Sequence, residues 1–349
     1  MLYLGILFTE SKMISLVDGK KAVEICSMVH GRKRLPVYYH DEFDQQKLNR
    51  VENFRDLVKS HMGELQSRHR VTLPHLEAAI GLHERQSEPE ETEHPHVRKM
   101  YWTLRDLKRT LLSREMDIRG EKQRFEIGIP RVATEYFGHV AVLGPSGSGK
   151  GYWITGLILQ HWKSASFLNR RRVYYVSAEA TLDKTLKRLD VKKYEDWFIP
   201  IDVSYEAGLE SGQSPEEFWA EHVDALLSNV RNAIIVLDDT QDGYSPKEAL
   251  KTQDKLVRIG RHKNISVISV YHSIRNGMYT KQLLQSAWHV VIFGRAQRGR
   301  VRDFFHEVFG MPRREAQNLV DHMNQCGRAA VVRTLAPVTL ICEKYMKLL

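Results

Sequence analysis

Cysteine is scarce. Cys26, Cys326 and Cys342 are the three in a chain of 349 residues, and their spacing fits neither a disulfide framework nor a zinc motif. That excludes a small disulfide-stapled fold and points to a reducing compartment. No apolar run approaches the ~20 residues that a bilayer-spanning helix needs, so no membrane insertion is expected. The opening Met1–Phe8 is apolar but short, lacks a basic start and runs into Glu10, which reads as a first strand rather than a signal peptide. Internal repeats are also missing. Acidic charge is in deficit: 52 Lys and Arg against 43 Asp and Glu leave a formal +9. That balance favours a polyanionic partner, nucleic acid ahead of an anionic membrane. The length allows a full core and suggests two domains.

Residues 2–8, 13–17, 22–29 and 37–39 read as short strands parted by turns such as Asp18-Gly19 and His30-Gly31. Leu48, Val51, Phe54, Leu57, Val58, Met62 and Leu65 then repeat at helical spacing. The stretch 84–96 is acidic, contains proline and has no apolar residue, the composition of a linker or long loop. Residues 100–112 predict an amphipathic helix with a basic face, and 124–130 a strand leading onward. His61, His69, His75 and His83 match no ligand pattern and read as solvated histidines. The expected organisation is an N-terminal docking or regulatory domain over 1–83, an acidic linker and connecting helix over 84–120, and a larger domain over 121–349.

The larger domain is organised around Gly144-Pro145-Ser146-Gly147-Ser148-Gly149-Lys150, set directly behind the apolar Val140–Leu143. A strand, a glycine turn and a helix starting near Lys150 form a phosphate-binding loop, in which backbone N–H groups and the helix N-terminus face an anion. Gly144, Pro145, Ser146, Gly147, Ser148, Gly149, Lys150, Gly151 and Tyr152 are therefore the expected nucleotide-binding residues. Lys150 would reach the β- and γ-phosphates. The place after the lysine, where this motif carries a magnesium-ligating Ser or Thr, is Gly151, and Tyr152 supplies no aliphatic hydroxyl either.

Downstream, 171–177 and 199–203 read as strands, 181–197 as a basic helix, and Pro215–Val230 as a helix capped by Ser214. Ala233–Leu237 is continuously apolar, the mark of a strand buried on both faces. It ends in Asp238-Asp239, two carboxylates at the end of a central strand where open α/β sheets bind ligands. Asp238 is the expected Mg²⁺ ligand, directly or through water, and Asp239 the group that orients and deprotonates the attacking water. Leu250–Ile259 reads as a helix ended by Gly260. Ile265–Tyr271 is a further buried strand closed by His272, a polar group placed to feel the γ-phosphate. His289–Phe293 is another strand and opens onto four arginines in eight residues, Arg295, Arg298, Arg300 and Arg302. Helices over 301–309 and 313–323 and a strand pair over 329–333 and 338–342 close the domain.

Four stretches together carry a family likeness: the loop at 140–150, the Asp-Asp strand, the run Gly260–Ile268 leading to His272, and Trp288–Phe293 with its arginine tail. Over residues 120–345 the chain resembles the genome-packaging ATPases of double-stranded DNA viruses, the poxvirus-type branch of the FtsK/HerA superfamily also found in virophages and polinton-like elements. In that family a basic R-H-x-N-x-S-V-I run leads to a strand whose end bears a polar sensor, commonly Gln; here His272 takes the place. The resemblance implies an α/β fold of the RecA/ASCE-like P-loop NTPase type, a mostly parallel sheet with flanking helices, preceded by a small α+β N-terminal domain. It implies ATP and Mg²⁺ as cofactors, and Lys150, Asp239, His272, Arg295 and Arg298 as catalytic residues, the two arginines as fingers reaching a neighbour's phosphates. It further implies a homo-oligomeric ring, double-stranded DNA held through its phosphates and a capsid portal or vertex protein as partner. The place would be the virion's packaging vertex or the cytoplasm of the infected cell. A cellular or plasmid-borne HerA-like pump, a nucleoside monophosphate kinase suggested by Gly149-Lys150-Gly151, and a nucleotide-binding scaffold with little turnover are the competing readings.

Overall fold

A computed structural model of the chain describes residues 14–15, 22–30, 33–40, 71–85, 87–104, 117–119, 124–130, 132, 136–166, 169–179, 186–189, 192–274, 284, 286–295, 297–336 and 338–349. The expected strand over 2–8, the helix over 48–65, and His61 and His69 lie outside the described residues. The chain divides into two compact units, one of Met1–Val23 and Tyr38–Ile118, the other of Glu24–Val37 and Arg119–Lys347.

In the first unit, Ile14–Ser15 (β1) pairs antiparallel with the end of Lys33–His40 (β3), Ile14 opposite Tyr39. It also holds a helical pair, Leu73–Glu84 (α1) and residues 95–104 (α2). Leu76, Ala79 and Ile80 of α1 bury against Val97, Met100 and Leu104 of α2. The acidic stretch is the connection between these two helices and is mostly exposed, with His94 stacked on His75 of α1.

In the second unit, Ala22–His30 (β2) pairs antiparallel with Arg124–Phe125 (β4). The expected strand over 124–130 is thus confined to its first two residues. The main sheet is built from His139–Leu143 (β5), Arg172–Ser177 (β6), Phe198–Asp202 (β7), Ala233–Asp238 (β8), Ile265–Tyr271 (β9), His289–Ile292 (β10), Ala330–Arg333 (β11), Thr339–Cys342 (β12) and Tyr345–Leu348 (β13). They run in the order β13-β12-β11-β10-β5-β9-β8-β6-β7. The stretch from β10 to β7 is parallel, and β11 and β12 add antiparallel strands. Successive side chains enter opposite faces and both faces are covered, so β5 and β9 are buried at every position and β8 at all but its last. Val140 and Val142 pack on one face with Ile154, Ile158 and Trp162 of Lys150–Ser164 (α3). Ala141 and Leu143 pack on the other with Phe305 and Leu319. Each such aliphatic side chain, fully buried, stabilises the fold by about 1.5–3 kcal/mol.

Several expectations need correction. Within 181–197 the described residues form two single 3₁₀ turns, Leu186–Arg188 and Lys192–Tyr194, not a helix. Leu186, Leu189 and Tyr194 are all buried against the α3 side of the sheet, and that packing outweighs helical propensity. The helix over 215–230 starts as expected, with a Ser214–Glu217 capping box ahead of Pro215–Trp219 (α5, after Tyr205–Ser211, α4). It then widens into a π turn at Ala220–Asp224. The extra residue keeps Phe218, Trp219, Val223 and Leu227 on the core. The helix expected over 250–259 is longer, Pro246–Lys263 (α6), and Gly260 does not end it. A Cβ there would lie 2.6 Å from the Ile265 carbonyl, so glycine serves the close approach of α6 to β9. The helix stops instead at left-handed Asn264. The two closing helices form but are longer than the expected 301–309 and 313–323, running Arg298–Phe309 (α7) and Arg313–Cys326 (α8). Strand β13 was not legible, being four residues behind a charged Glu343-Lys344 turn.

Candidate active site

The register of the sheet assembles the site. Leu143 pairs with Tyr271 on one side and with Ile292 on the other. One strand over, Asp238 pairs with Val270 and with Ser177. The loop after β5, the Asp-Asp end of β8 and the His272 end of β9 therefore leave the sheet at the same level. β9 lies between the phosphate-loop strand and the carboxylate strand.

Gly144 and Gly149 both have positive φ, 157° and 108°. A Cβ on Gly144 would lie 2.5 Å from the Phe293 Cβ, so the loop closes against β10 only with glycine there. Gly149 is the N-cap of α3 and Lys150 its first residue. Ser146 and Gly147 are exposed at the tip, while Pro145, Ser148 and Gly149 are half-buried. The Ser148 Oγ is buried and has no hydrogen-bond partner. Gly151 lies in the first turn of α3 and brings no side-chain oxygen. Tyr152 is 67% exposed, with the Arg188 guanidinium 6.0 Å above its ring.

Lys150 is buried, and its ammonium donates to the Gly144 carbonyl at 2.9 Å, the Pro145 carbonyl at 3.2 Å and the His272 Nδ1 at 3.2 Å. Burial lowers its pKa, against the upward pull of Asp239, Asp238 and Glu179. With Nδ1 accepting, the His272 proton sits on Nε2, which donates to Asp239 Oδ2 at 2.7 Å. Burial raises the Asp239 carboxyl, opposed by His272 and Lys150. Asp239 reaches this position through a left-handed backbone, φ 49°. Asp238 is turned the other way, as the strand period requires: its Oδ2 accepts a hydrogen bond from the Tyr175 hydroxyl of β6. Burial pushes Asp238 up to about 6, and the Tyr175 hydrogen bond is the first influence pulling it down.

Lys150, Asp239 and His272 are thus in direct contact, with Asp238 on the adjoining side. Arg295 is exposed, its guanidinium donating to the carbonyls of Gly327 at 3.1 Å and Asn324 at 3.3 Å. Arg298 is exposed at the start of α7, away from the Lys150 contacts. Sequence reasoning missed three residues. Tyr175 sits mid-strand and reads as core. Gln241 donates to Asp239 Oδ1 at 3.3 Å and Asp242 Oδ2 at 3.1 Å. Gln297 donates to the His272 carbonyl at 3.1 Å and accepts from the Ile274 N–H at 3.2 Å, which ties the sensor loop to the arginine segment. Only the arginine run drew attention to its neighbourhood.

Beside the loop lies a cleft of about 620 Å³ lined by Ser148, Gly149, Tyr152, Trp153, Phe293 and Arg295 among others. Its size falls in the range of small-molecule sites and its aromatic wall suits a planar base.

No protein-family model matches the chain, and no curated protein matches it. Among solved structures it is similar to the genome-packaging NTPase B204 of Sulfolobus turreted icosahedral virus 2 in complex with sulfate, at 12% identity and TM-score 0.40, over 59% of this chain and 97% of that one. It is also similar to the cytoplasmic domain of the Thermomonospora curvata type VII secretion ATPase EccC, at 12% identity and TM-score 0.37, over 66% and 28%. A third is the pCW3 conjugation coupling protein TcpA with ATPγS, at 13% identity and TM-score 0.33, over 60% of each chain. Likenesses at these values carry no argument of their own, and the fold rests on the chain's own geometry. Among the described residues no helix is long and apolar enough to cross a membrane. The phosphate loop behind β5, the strand inserted between β5 and the Asp-Asp strand, and the lysine bonded to the ends of β5 and β9 give this chain a P-loop NTPase fold of the RecA/ASCE-like kind.

Proposed function

We propose that this chain is an ATP-hydrolysing motor that moves double-stranded DNA, in the manner of a viral genome-packaging ATPase. The observation that carries the reading is the Lys150–His272–Asp239 chain of contacts at the mouth of the phosphate loop. The residue run before β9, the arginine tail and the basic net charge support DNA as the polymer.

Lys150 would exchange the Gly144 and Pro145 carbonyls for phosphate oxygens, a move from neutral acceptors to charged ones. Asp239 would take the proton of the attacking water as its oxygen bonds the γ-phosphorus and the bridge to the β-phosphate breaks. His272 touches both groups, so it would report phosphate occupancy to the base. The donors present fit a magnesium ion: the free oxygen of Asp238, and the buried, partnerless Ser148 Oγ in place of the hydroxyl that Gly151 lacks. When bound, that ion supplies neutralisation of phosphate charge. Arg295 and Arg298 are the candidates for a finger from a neighbouring subunit in a ring, a role worth about 10³–10⁵ in rate. A capsid vertex partner and a place in the virion or infected cytoplasm belong to the same proposal.

The test is steady-state ATP hydrolysis with and without double-stranded DNA, with oligomer mass measured in the same preparation. Lys150→Ala is expected to abolish turnover with the fold intact; unchanged turnover would sink the assignment. Gly151 favours a second reading, a nucleotide-binding scaffold, which nucleotide binding without hydrolysis would support.

A further inference from the structure

Asp239, Asp242 and His272 each offer one ligand atom, and these atoms all lie within 4.8 Å of one another. Two ligand atoms bonded at about 2.0–2.2 Å and 90–110° apart on one zinc ion are about 2.8–3.6 Å from each other. His272 Nε2 and Asp239 Oδ2 stand at 2.7 Å, close to that separation. Asp242 sits on the 3₁₀ turn Thr240–Asp242, directly behind β8. The Gln241 amide nitrogen bridges the two carboxylates, and its Oε1 is buried with no hydrogen-bond partner. The site therefore holds two adjacent carboxylates and an imidazole, next to an amide whose oxygen is unsatisfied.

We propose that Asp239, Asp242 and His272 bind a first-row transition-metal ion of the zinc type, and that this ion restrains turnover. One nitrogen and two oxygens leave a fourth position for water, as in open zinc sites. The imidazole selects zinc-like ions over magnesium, which prefers oxygen ligands. Two carboxylates neutralise the ion's charge. On binding through Nε2, the ring proton moves to Nδ1, so the Lys150 ammonium gives up that acceptor, draws back from the ring and keeps the Gly144 and Pro145 carbonyls. The ion occupies the base and the sensor at once, so water activation stops while it is bound. This consequence for turnover rests on the hydrolytic reading above; the binding itself does not.

The experiment is a zinc titration of the full chain without nucleotide, by competition with a chromophoric chelator in excess magnesium. One ion per chain is expected, with affinity falling at least about tenfold in Asp242→Asn and in His272→Gln. Asp242 is exposed, so its variant is expected to melt with the wild type. In the ATPase assay, zinc is expected to inhibit the wild type near its binding constant. Asp242→Asn is expected to shift half-inhibition by the same factor, each protein being compared with its own zinc-free rate. Absent binding, or binding equal in all three proteins, overturns the site. Binding that tracks the three residues in a chain that never hydrolyses ATP supports the site and overturns the motor reading instead.

Discussion

The His272 ring is shared between two partners of opposite charge: its Nε2 donates to Asp239 at 2.7 Å, and its Nδ1 accepts from Lys150 at 3.2 Å. In this arrangement the Lys150 ammonium and the Asp239 carboxylate are one imidazole apart. In the proposed mechanism, a change at either end would alter the proton position in the ring and so link phosphate occupancy to base strength.

Asp238 depends on Tyr175 in a similar way. Burial pushes this carboxyl up to about 6, and the Tyr175 hydroxyl holds it down. A hydrogen bond to a charged group contributes about 1.5–3 kcal/mol, or one to two pH units. Tyr175→Phe is expected to move the acid limb of the ATPase pH profile upward by about one unit. An acid limb that stays in place would exclude an ionised Asp238 from the reaction.

The close approach at Gly260 sets a second expectation. Alanine gains about 1 kcal/mol of helix propensity over glycine. A Cβ 2.6 Å from the Ile265 carbonyl forces backbone apart, at about 1–3 kcal/mol. Gly260→Ala is therefore expected to unfold at lower urea concentration than the wild type. A rise in the midpoint would show that the α6–β9 junction can open freely.

Acid stability follows from three buried histidines. His139 is held at about 3, His161 at about 4 and His289 at about 3, burial being the first cause in each. These folded values lie below the unfolded value near 6.5. The stability is thus fully present above pH 6.5 and is lost as pH falls towards the folded values. Each ring contributes a slope of about 1.4 kcal/mol per pH unit in that window. His161 donates to the Val132 carbonyl and accepts from the Arg171 N–H, so it is fixed neutral from both sides. His161→Asn is expected to flatten the fall of Tm with pH by one ring's share; an identical slope would contradict its buried neutral state.

DNA binding through phosphates predicts a salt signature. Arg298 and Arg300 are exposed on the first turn of α7. Replacing both with alanine is expected to lower the slope of log affinity against log salt by about 0.9 for each phosphate that the variant no longer neutralises. Fluorescence anisotropy over about 50 to 200 mM salt measures it. An unchanged slope and affinity would move the DNA to another face.

What the sequence determined by itself is the set of parts. Continuous apolar runs require strands buried on both faces, and Ala233–Leu237, Ile265–Tyr271 and His289–Ile292 form where the pattern put them. Glycines before a lysine behind such a strand permit one turn, and the loop adopts it. What only tertiary structure decided is how these parts meet. The π turn at 220–224, the continuation of α6 through Gly260 and the 3₁₀ turns at Leu186–Arg188 and Lys192–Tyr194 come from packing that local propensity does not contain. The same holds at the site. Tyr175, Gln241 and Gln297 are unremarkable in sequence, because their roles follow from strand register and loop closure rather than from neighbours along the chain. Register is a non-local choice: it places residues 150, 239 and 272 in contact across three strands, and no window of the sequence spans all three.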